Sequence, residues 1–185
     1  VAGRYQSYRA APDHLGPKGV SGNADIYLYD RDRGRTRRVT VTDAGVQENS
    51  GARHPEISAD GRYIVYESFA TNLDTGDTNA ANDIFMYDSV LATTIRVSVD
   101  NVGNKTETNA DSERASISGD GRYITYYSES AILVPNDIGS TTDIFLFDRL
   151  FATTTRVSLA SACGEPDRSS YLPAISDNGR YIAFE

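Results

Sequence analysis

The chain has 185 residues and a formal net charge of −8, with 26 acidic side chains against 18 lysines and arginines. That charge argues against a nucleic-acid partner held through phosphate contacts, and no run approaches the roughly 18 apolar residues of a membrane span. The single cysteine, Cys163, excludes an internal disulfide. Twelve tyrosines, fifteen glycines and many β-branched residues are instead typical of strands and tight turns.

The first element, "GRYQSYR", begins at Gly3 and is the first of four related copies. The others are "DGRYIVYES" at 60–68, "DGRYITYYS" at 120–128 and "NGRYIAFE" at 178–185. Glycine precedes Arg-Tyr at positions 3, 61, 121 and 179, so the copies recur at intervals of 58, 60 and 58 residues. Each copy is rich in aromatic or β-branched residues, which predicts a strand.

Three further phrases keep the same period. "DIYLYD", "DIFMYD" and "DIFLFD" begin at Asp25, Asp83 and Asp143. "TRRVTV", "TIRVSV" and "TTRVSL" begin at Thr36, Thr94 and Thr154, and "PEIS", "ASIS" and "PAIS" end at Ser58, Ser118 and Ser176. Chance similarity does not explain several phrases that share one period, so the chain is built of structural repeats.

Each repeat predicts four strands in a fixed order. A short strand of small residues leads through Asp-Gly or Asn-Gly, the dipeptides of tight hairpins, into the "RYIVYES" strand. A long loop, the "DIFMYD" strand, a short turn and the "TIRVSV" strand follow, and no segment shows a sustained helical period. Four antiparallel strands repeated around an axis make a β-propeller blade. The rival fold, a β-sandwich, does not require phrases that recur in fixed order.

These phrases resemble a known repeat. "P-x-I-S-x-D-G-R-Y-I-x-[YF]", "D-I-[FY]-x-[YF]-D" and "T-x-R-V-[ST]" look like the TolB-type, WD-like β-propeller repeat of many bacterial exported proteins, over essentially the whole chain. Ile57, Ile117 and Ile175 stand where that family usually has tryptophan. The resemblance implies an all-β propeller in a periplasmic or secreted protein, and it implies no particular activity.

The strand count predicts about three blades. Blade equivalents span 1–41, 54–99 and 114–159, and a first hairpin follows at 172–185. Known propellers have about four to eight blades, so two arrangements are open: a homodimer that closes a six-bladed ring through its open edges, or part of a longer propeller. We favour the dimer, in which one of the four second strands is surplus, and "RYQSYRA" is the candidate.

Charged residues that recur in every repeat are expected to serve the scaffold. We expect them to form charge-assisted hydrogen bonds within or between blades. They are Arg62, Arg122 and Arg180, Asp88 and Asp148, and Arg96 and Arg156.

Residues that differ between repeats are the better candidates for a binding site. Three sets of positions flank the axial strand at the mouth of the channel: Arg53/Glu113/Tyr171, His54/Arg114/Leu172 and Glu56/Ser116/Ala174. This polar ring of mixed charge predicts a ligand site at the channel mouth, formed by Arg53, His54, Glu56, Glu113, Arg114 and Tyr171. The alternative is that these side chains only pair with one another around a water-filled channel.

The loop 69–82, "FATNLDTGDTNAAN", raises the possibility of calcium, the only cofactor we consider. Asp74, Asp77, Asn79 and Asp83 supply hard oxygen ligands at close spacing. The same residue types form Asx-turns without a metal, and the spacing is not that of an EF-hand.

Catalytic motifs are missing from the sequence. It contains neither G-x-S-x-G nor H-E-x-x-H and has two histidines. We therefore expect a non-enzymatic binding or scaffold propeller that self-associates and binds a protein, peptide or glycan. The alternatives are the propeller portion of a glycan- or peptide-acting enzyme and a calcium-stabilised structural module.

Overall fold

A computed structural model describes residues 5–10, 23–79, 81–103, 110–137, 141–159 and 168–185. Cys163 lies outside these ranges, as does Gly3, where the first repeat begins. Within them every regular element is a β-strand, and no helix could cross a membrane. The strands are β1 (Tyr5–Ala10), β2 (Asp25–Asp30), β3 (Arg35–Arg38), β4 (Ala52–Ile57), β5 (Tyr63–Ser68), β6 (Asp83–Asp88), β7 (Thr93–Arg96), β8 (Ser112–Ile117), β9 (Tyr123–Ser128), β10 (Asp143–Asp148), β11 (Thr153–Arg156), β12 (Ala174–Ile175) and β13 (Ile182–Ala183).

The strands form antiparallel sheets in which each strand pairs with its neighbour in sequence. Two sheets are complete blades, β4-β5-β6-β7 and β8-β9-β10-β11. The sheet β1-β2-β3 lacks an axial strand, and β12-β13 is the first hairpin of a further blade. The predicted all-β architecture of four-stranded blades, about three to the chain, is confirmed.

Strand β1 belongs to the first blade. It pairs with β2 over its whole length, from Tyr5 opposite Asp30 to Ala10 opposite Asp25. Tyr8 stacks on Tyr27 with ring centroids 6.2 Å apart, so the strand keeps the aromatic contact of the later repeats. In this chain "RYQSYRA" is therefore the second strand of the first blade, and its being surplus in a homodimer stays a prediction.

The core lies between adjacent blades, and both faces of β5 are buried in it. Ile64 and Tyr66 pack in the cluster shared with the first blade, whereas Val65 packs in the cluster shared with the third blade. Alternate residues of a strand point to opposite faces. A blade between two others therefore needs apolar residues at nearly every strand position, which is why the strands are continuously hydrophobic.

A tyrosine-glycine contact repeats at each blade interface. Gly121 has a positive φ of 69°, and a Cβ there would overlap the ring of Tyr63 in the preceding blade. The pairs Tyr5–Gly61 and Tyr123–Gly179 repeat this contact. The glycine thus serves both the hairpin turn and the close approach of the neighbouring blade.

The prediction that recurring charges serve the scaffold is confirmed for the pairs within blades. Arg62 Nη2 lies 2.7 Å from Asp88 Oδ2, and Arg122 Nη2 lies 2.7 Å from Asp148 Oδ2. In both pairs Nε also donates to the same carboxylate, so the guanidinium binds it as a fork. These pairs tie the turn before the second strand to the end of the third.

Candidate functional site

The axial strand begins, and the second strand ends, at the same end of each blade. In the second blade Ala52 lies opposite Ser68, which in turn lies opposite Asp83. We call this end the channel mouth. Loop 69–82 leaves β5 here, so the two groups of predicted site residues share one end of the blades.

A β-bulge interrupts each complete axial strand at the mouth. The register of β4 shifts between Arg53 and Glu56, and that of β8 shifts between Glu113 and Ser116. At the bulge His54 has a φ of 51°, Arg114 one of 55° and Leu172, the equivalent residue, one of 51°. The left-handed region costs a non-glycine residue about 1 kcal/mol or more, and bulges commonly redirect side chains at functional sites.

The bulge residues line one cavity beside the axial strands, which we call the channel cavity. His54, Arg114 and Leu172 face one cavity of about 300 Å³ together with the residues that follow each of them. The predicted site residue Glu56 lines the same cavity. Three successive blades therefore each contribute one strained residue, of different chemistry, to a single space.

A buried carboxylate, Glu67 of β5, organises this wall. Its Oε2 accepts hydrogen bonds from Arg53 Nε at 2.8 Å and Asn82 Nδ2 at 3.2 Å. Its Oε1 accepts from His54 Nδ1 at 2.9 Å and from the backbone N–H of Arg114, in the next blade, at 2.7 Å. One side chain thus holds both bulges and joins two blades.

The four donors decide the charge of Glu67. Burial alone would raise the pKa of this carboxyl, but the hydrogen bonds from His54, Arg114, Arg53 and Asn82 outweigh burial and lower its pKa. Glu67 is therefore ionised at neutral pH. An ionised acceptor requires a proton on Nδ1 of His54, so the opposite ring nitrogen, Nε2, is left to bind other groups.

The network continues into the third blade. Arg53 Nη2 lies 2.6 Å from Glu113 Oε1, and Tyr127 donates to Glu113 Oε2 at 2.5 Å. Burial, followed by the hydrogen bond to Glu113, raises the pKa of Tyr127 to about 12. The ring of Tyr127 meets Tyr171 edge-on, with centroids 5.4 Å apart. The order Glu67–Arg53–Glu113–Tyr127–Tyr171 links three blades.

A second cavity lies beside this chain of contacts. It measures about 330 Å³ and is lined by Ala110, Asp111, Glu113, Tyr127 and Glu129. Three of these five residues are acidic, so the mouth offers an acidic pocket next to the channel.

All six predicted site residues lie at the mouth. Arg53, Glu113 and Tyr171 belong to the network, and His54, Glu56 and Arg114 line the channel cavity. Ligand binding by them stays a prediction. Sequence reasoning missed Glu67 and Tyr127, which occupy the same position of the second strand. That position varies among the repeats (Arg9, Glu67, Tyr127 and Glu185), and this variation could have identified it.

The residues proposed to bind calcium have protein partners. Buried Arg96 reaches both Asp74 Oδ2 and Asp83 Oδ2, each at 3.5 Å. Asn79 Oδ1 accepts the backbone N–H of Ala81 at 2.9 Å, as in an Asx-turn. Asp77 is buried in the same loop. No group of three or more His, Cys, Asp or Glu side chains that could hold a metal occurs in the described part of the chain. Calcium binding stays a prediction.

Neither a protein-family model nor a curated protein matches the sequence. Solved structures do match. TolB from Acinetobacter baumannii superposes with a TM-score of 0.52 at 18% identity over 97% of this chain. The putative TolB from Agrobacterium tumefaciens gives 0.54 at 17% identity over 99%. The fold is that of a TolB-type β-propeller.

Peptidase structures share this propeller fold. Dipeptidyl peptidase 4 from Porphyromonas gingivalis matches with a TM-score of 0.55 at 18% identity over 97% of this chain. The chain covers 34% of the A. baumannii TolB structure, 55% of the A. tumefaciens structure and 28% of the peptidase. It therefore spans from about a quarter to about half the length of these TolB-type and peptidase chains, and the likeness establishes the fold.

Proposed function

We propose that this TolB-type propeller is a non-enzymatic binding protein that holds a protein, peptide or small-molecule ligand at the channel mouth. The network from Glu67 through Arg53 and Glu113 to Tyr127 carries the proposal. The residue type at the positions of its members varies among the repeats, whereas the charged residues of the scaffold recur. A polar network of varied residue types, placed beside two cavities, fits a binding site.

The alternative in which the mouth residues only pair with one another leaves Arg114 unexplained. Its backbone N–H serves Glu67, but in the described part of the chain its exposed guanidinium forms no ion pair. Pairing among the mouth residues alone therefore leaves the guanidinium of Arg114 without a partner in the cavity wall. An anionic group of a ligand would provide that partner.

An enzymatic role for the mouth is supported less well. The His54–Glu67 pair resembles an oriented general base, but within the described ranges no hydroxyl or thiol hydrogen-bonds to His54. A base of this kind acts in nucleophilic catalysis only when a nucleophile lies within reach. The propeller portion of a peptide- or glycan-acting enzyme remains the second candidate, because a peptidase shares the fold.

Peptide and glycan arrays test the binding proposal with two matched variants. Arg114→Gln removes an exposed guanidinium at the mouth. Arg35→Thr removes one at the opposite end of the first blade and installs the residue found at the equivalent positions, Thr93 and Thr153. We expect the wild type to bind at least one class of ligand on the arrays. Arg114→Gln should bind that ligand at least tenfold more weakly, and Arg35→Thr should bind it as tightly as the wild type does. Failure to retain any ligand, or equal binding by Arg114→Gln, contradicts the proposal.

We further propose that the blade edges mediate self-association. Tyr63 is 5% exposed where it packs on Gly121, whereas the equivalent Tyr181 is 61% exposed. A second copy of the chain that supplies the facing glycine and backbone groups would cover Tyr181 and continue the ring.

Native mass measured by light scattering tests self-association. We expect about 40 kDa, twice the 20.2 kDa of one chain, and a shift towards the single-chain mass for Tyr181→Ser. A wild-type mass of 20.2 kDa contradicts the homodimer. We also propose a periplasmic or secreted location, as the TolB-type resemblance implies, and cell fractionation tests it.

A further inference from the structure

The channel cavity carries both signs of charge as well as apolar surface. Its lining includes Arg114 and His54, the carboxylate of Glu56, and the apolar Leu172 with two prolines, Pro55 and Pro173. Its volume of about 300 Å³ suits a small organic molecule or the end of a chain.

Glu67 holds the ring of His54 and the backbone of Arg114 at one point of the cavity wall. His54 Nδ1 and the backbone N–H of Arg114 both donate to one atom, Glu67 Oε1, at 2.9 and 2.7 Å. Because Glu67 binds Arg114 through its backbone, the guanidinium stays available. Because Glu67 binds His54 through Nδ1, Nε2 stays available too. A guanidinium in the cavity wall is suited to a carboxylate, which can accept two hydrogen bonds from it. Nε2 of His54, which carries no proton when Nδ1 donates to Glu67, can only accept a hydrogen bond.

Glu56 provides the opposite charge in the same cavity. Its side chain is exposed, and within the described residues its carboxylate has neither an ion pair nor a hydrogen bond. A carboxylate in this condition is stabilised by a cationic group of a ligand. An ammonium, with three donors, meets that need.

The apolar part of the lining completes the description of the ligand. Leu172 occupies the bulge position where the other two blades carry His54 and Arg114. The blade that provides neither charge therefore provides a hydrophobic contact. The cavity as a whole complements a molecule with a carboxylate, an ammonium and an aliphatic group.

We propose that the channel cavity binds a zwitterionic ligand, an amino acid or a short peptide with an aliphatic side chain. The carboxylate pairs with Arg114, the ammonium pairs with Glu56, and the side chain packs on Leu172. This inference rests on the proposed binding function and specifies the chemistry of its ligand.

Calorimetric titration with four probes tests the inference. Leucine and leucyl-leucine carry both charges and distinguish a free amino acid from a peptide. Leucinamide lacks the carboxylate, and 4-methylpentanoate lacks the ammonium. We expect one of the zwitterions to bind at least tenfold more tightly than either singly charged probe. Equal binding of a singly charged probe, or no binding of any probe at millimolar concentration, overturns the inference.

Three variants assign the charges. Arg114→Gln should weaken the binding of the zwitterion and of 4-methylpentanoate at least tenfold and leave the binding of leucinamide unchanged. Glu56→Gln should weaken the binding of the zwitterion and of leucinamide and leave the binding of 4-methylpentanoate unchanged. Arg35→Thr, at the opposite end of the blades, should change nothing. Equal losses for all probes in either mouth variant would contradict the assignment, and unchanged melting temperatures exclude a folding defect.

The array experiment distinguishes a failure of this inference from a failure of the proposed binding function. An array ligand that Arg114→Gln loses, together with no binding of any zwitterionic probe, overturns this inference and supports the proposed function. No ligand in either experiment overturns both.

Discussion

Replacing Glu67 by glutamine should destabilise the protein strongly, because this carboxylate is buried and accepts four hydrogen bonds. Glutamine has one acceptor oxygen, so its NH₂ group must face two of the four donors. Two hydrogen bonds to a charged group are lost, each worth about 1.5 kcal/mol or more. The expected cost is about 3 kcal/mol. That is the lower end of the range for breaking a buried ion pair, since Arg53 and His54 are part-exposed and can recover water.

Urea unfolding followed by tyrosine fluorescence measures this cost, since the chain has no tryptophan. At about 2–4 °C per kcal/mol for a chain of this size, the melting temperature should fall by about 6–12 °C. The matched control is Glu185→Gln, because Glu185 is exposed and occupies the equivalent position of the last hairpin. The control should cost less than about 0.5 kcal/mol. A loss below about 1 kcal/mol for Glu67→Gln would refute the role assigned to this carboxylate.

Three further results are expected. Gly121→Ala should cost about 1–3 kcal/mol more than Gly45→Ala, since both have positive φ but only Gly121 faces a ring, that of Tyr63; equal costs in urea unfolding would contradict the close contact. The second result concerns Glu48. Burial, followed by the neighbouring carboxylate of Asp25, raises the pKa of Glu48 to about 9 in the folded protein, whereas the pKa of the unfolded side chain is near 4.5. Unfolding between these values releases a proton, so raising the pH from about 5 to 8 should destabilise the wild type relative to Glu48→Gln by up to about 1.4 kcal/mol per pH unit. If the stability difference between the wild type and Glu48→Gln does not change with pH, Glu48 is not protonated in the folded protein and the reasoning is contradicted. Calcium or EDTA should shift the melting temperature by less than about 1 °C, because Arg96 already pairs with two acidic residues near loop 69–82; a clear rise with calcium would favour a metal site.

The repeat made the fold predictable from the sequence. Strands such as Tyr63–Ser68 and Asp83–Asp88 coincide with the repeated phrases, because a blade needs the same pattern each time it is built. Repetition also marked charged residues of the scaffold, and two of them, Arg62 and Asp88, pair within one blade.

The details of the mouth could not be derived in the same way. His54, Arg114 and Leu172 share the left-handed conformation, and none of them is a glycine, the residue from which that conformation is usually predicted. The bond between Arg114 and Glu67 joins different blades across 47 residues. Contacts of this kind depend on how neighbouring sheets pack, which a strand pattern does not specify.

A crystal structure of the chain with leucyl-leucine bound tests the central claim most directly. We predict the ligand carboxylate within hydrogen-bond distance of the Arg114 guanidinium, and the ammonium beside Glu56. A dipeptide seated at the opposite end of the blades, or one whose ammonium faces Arg114, would contradict the account.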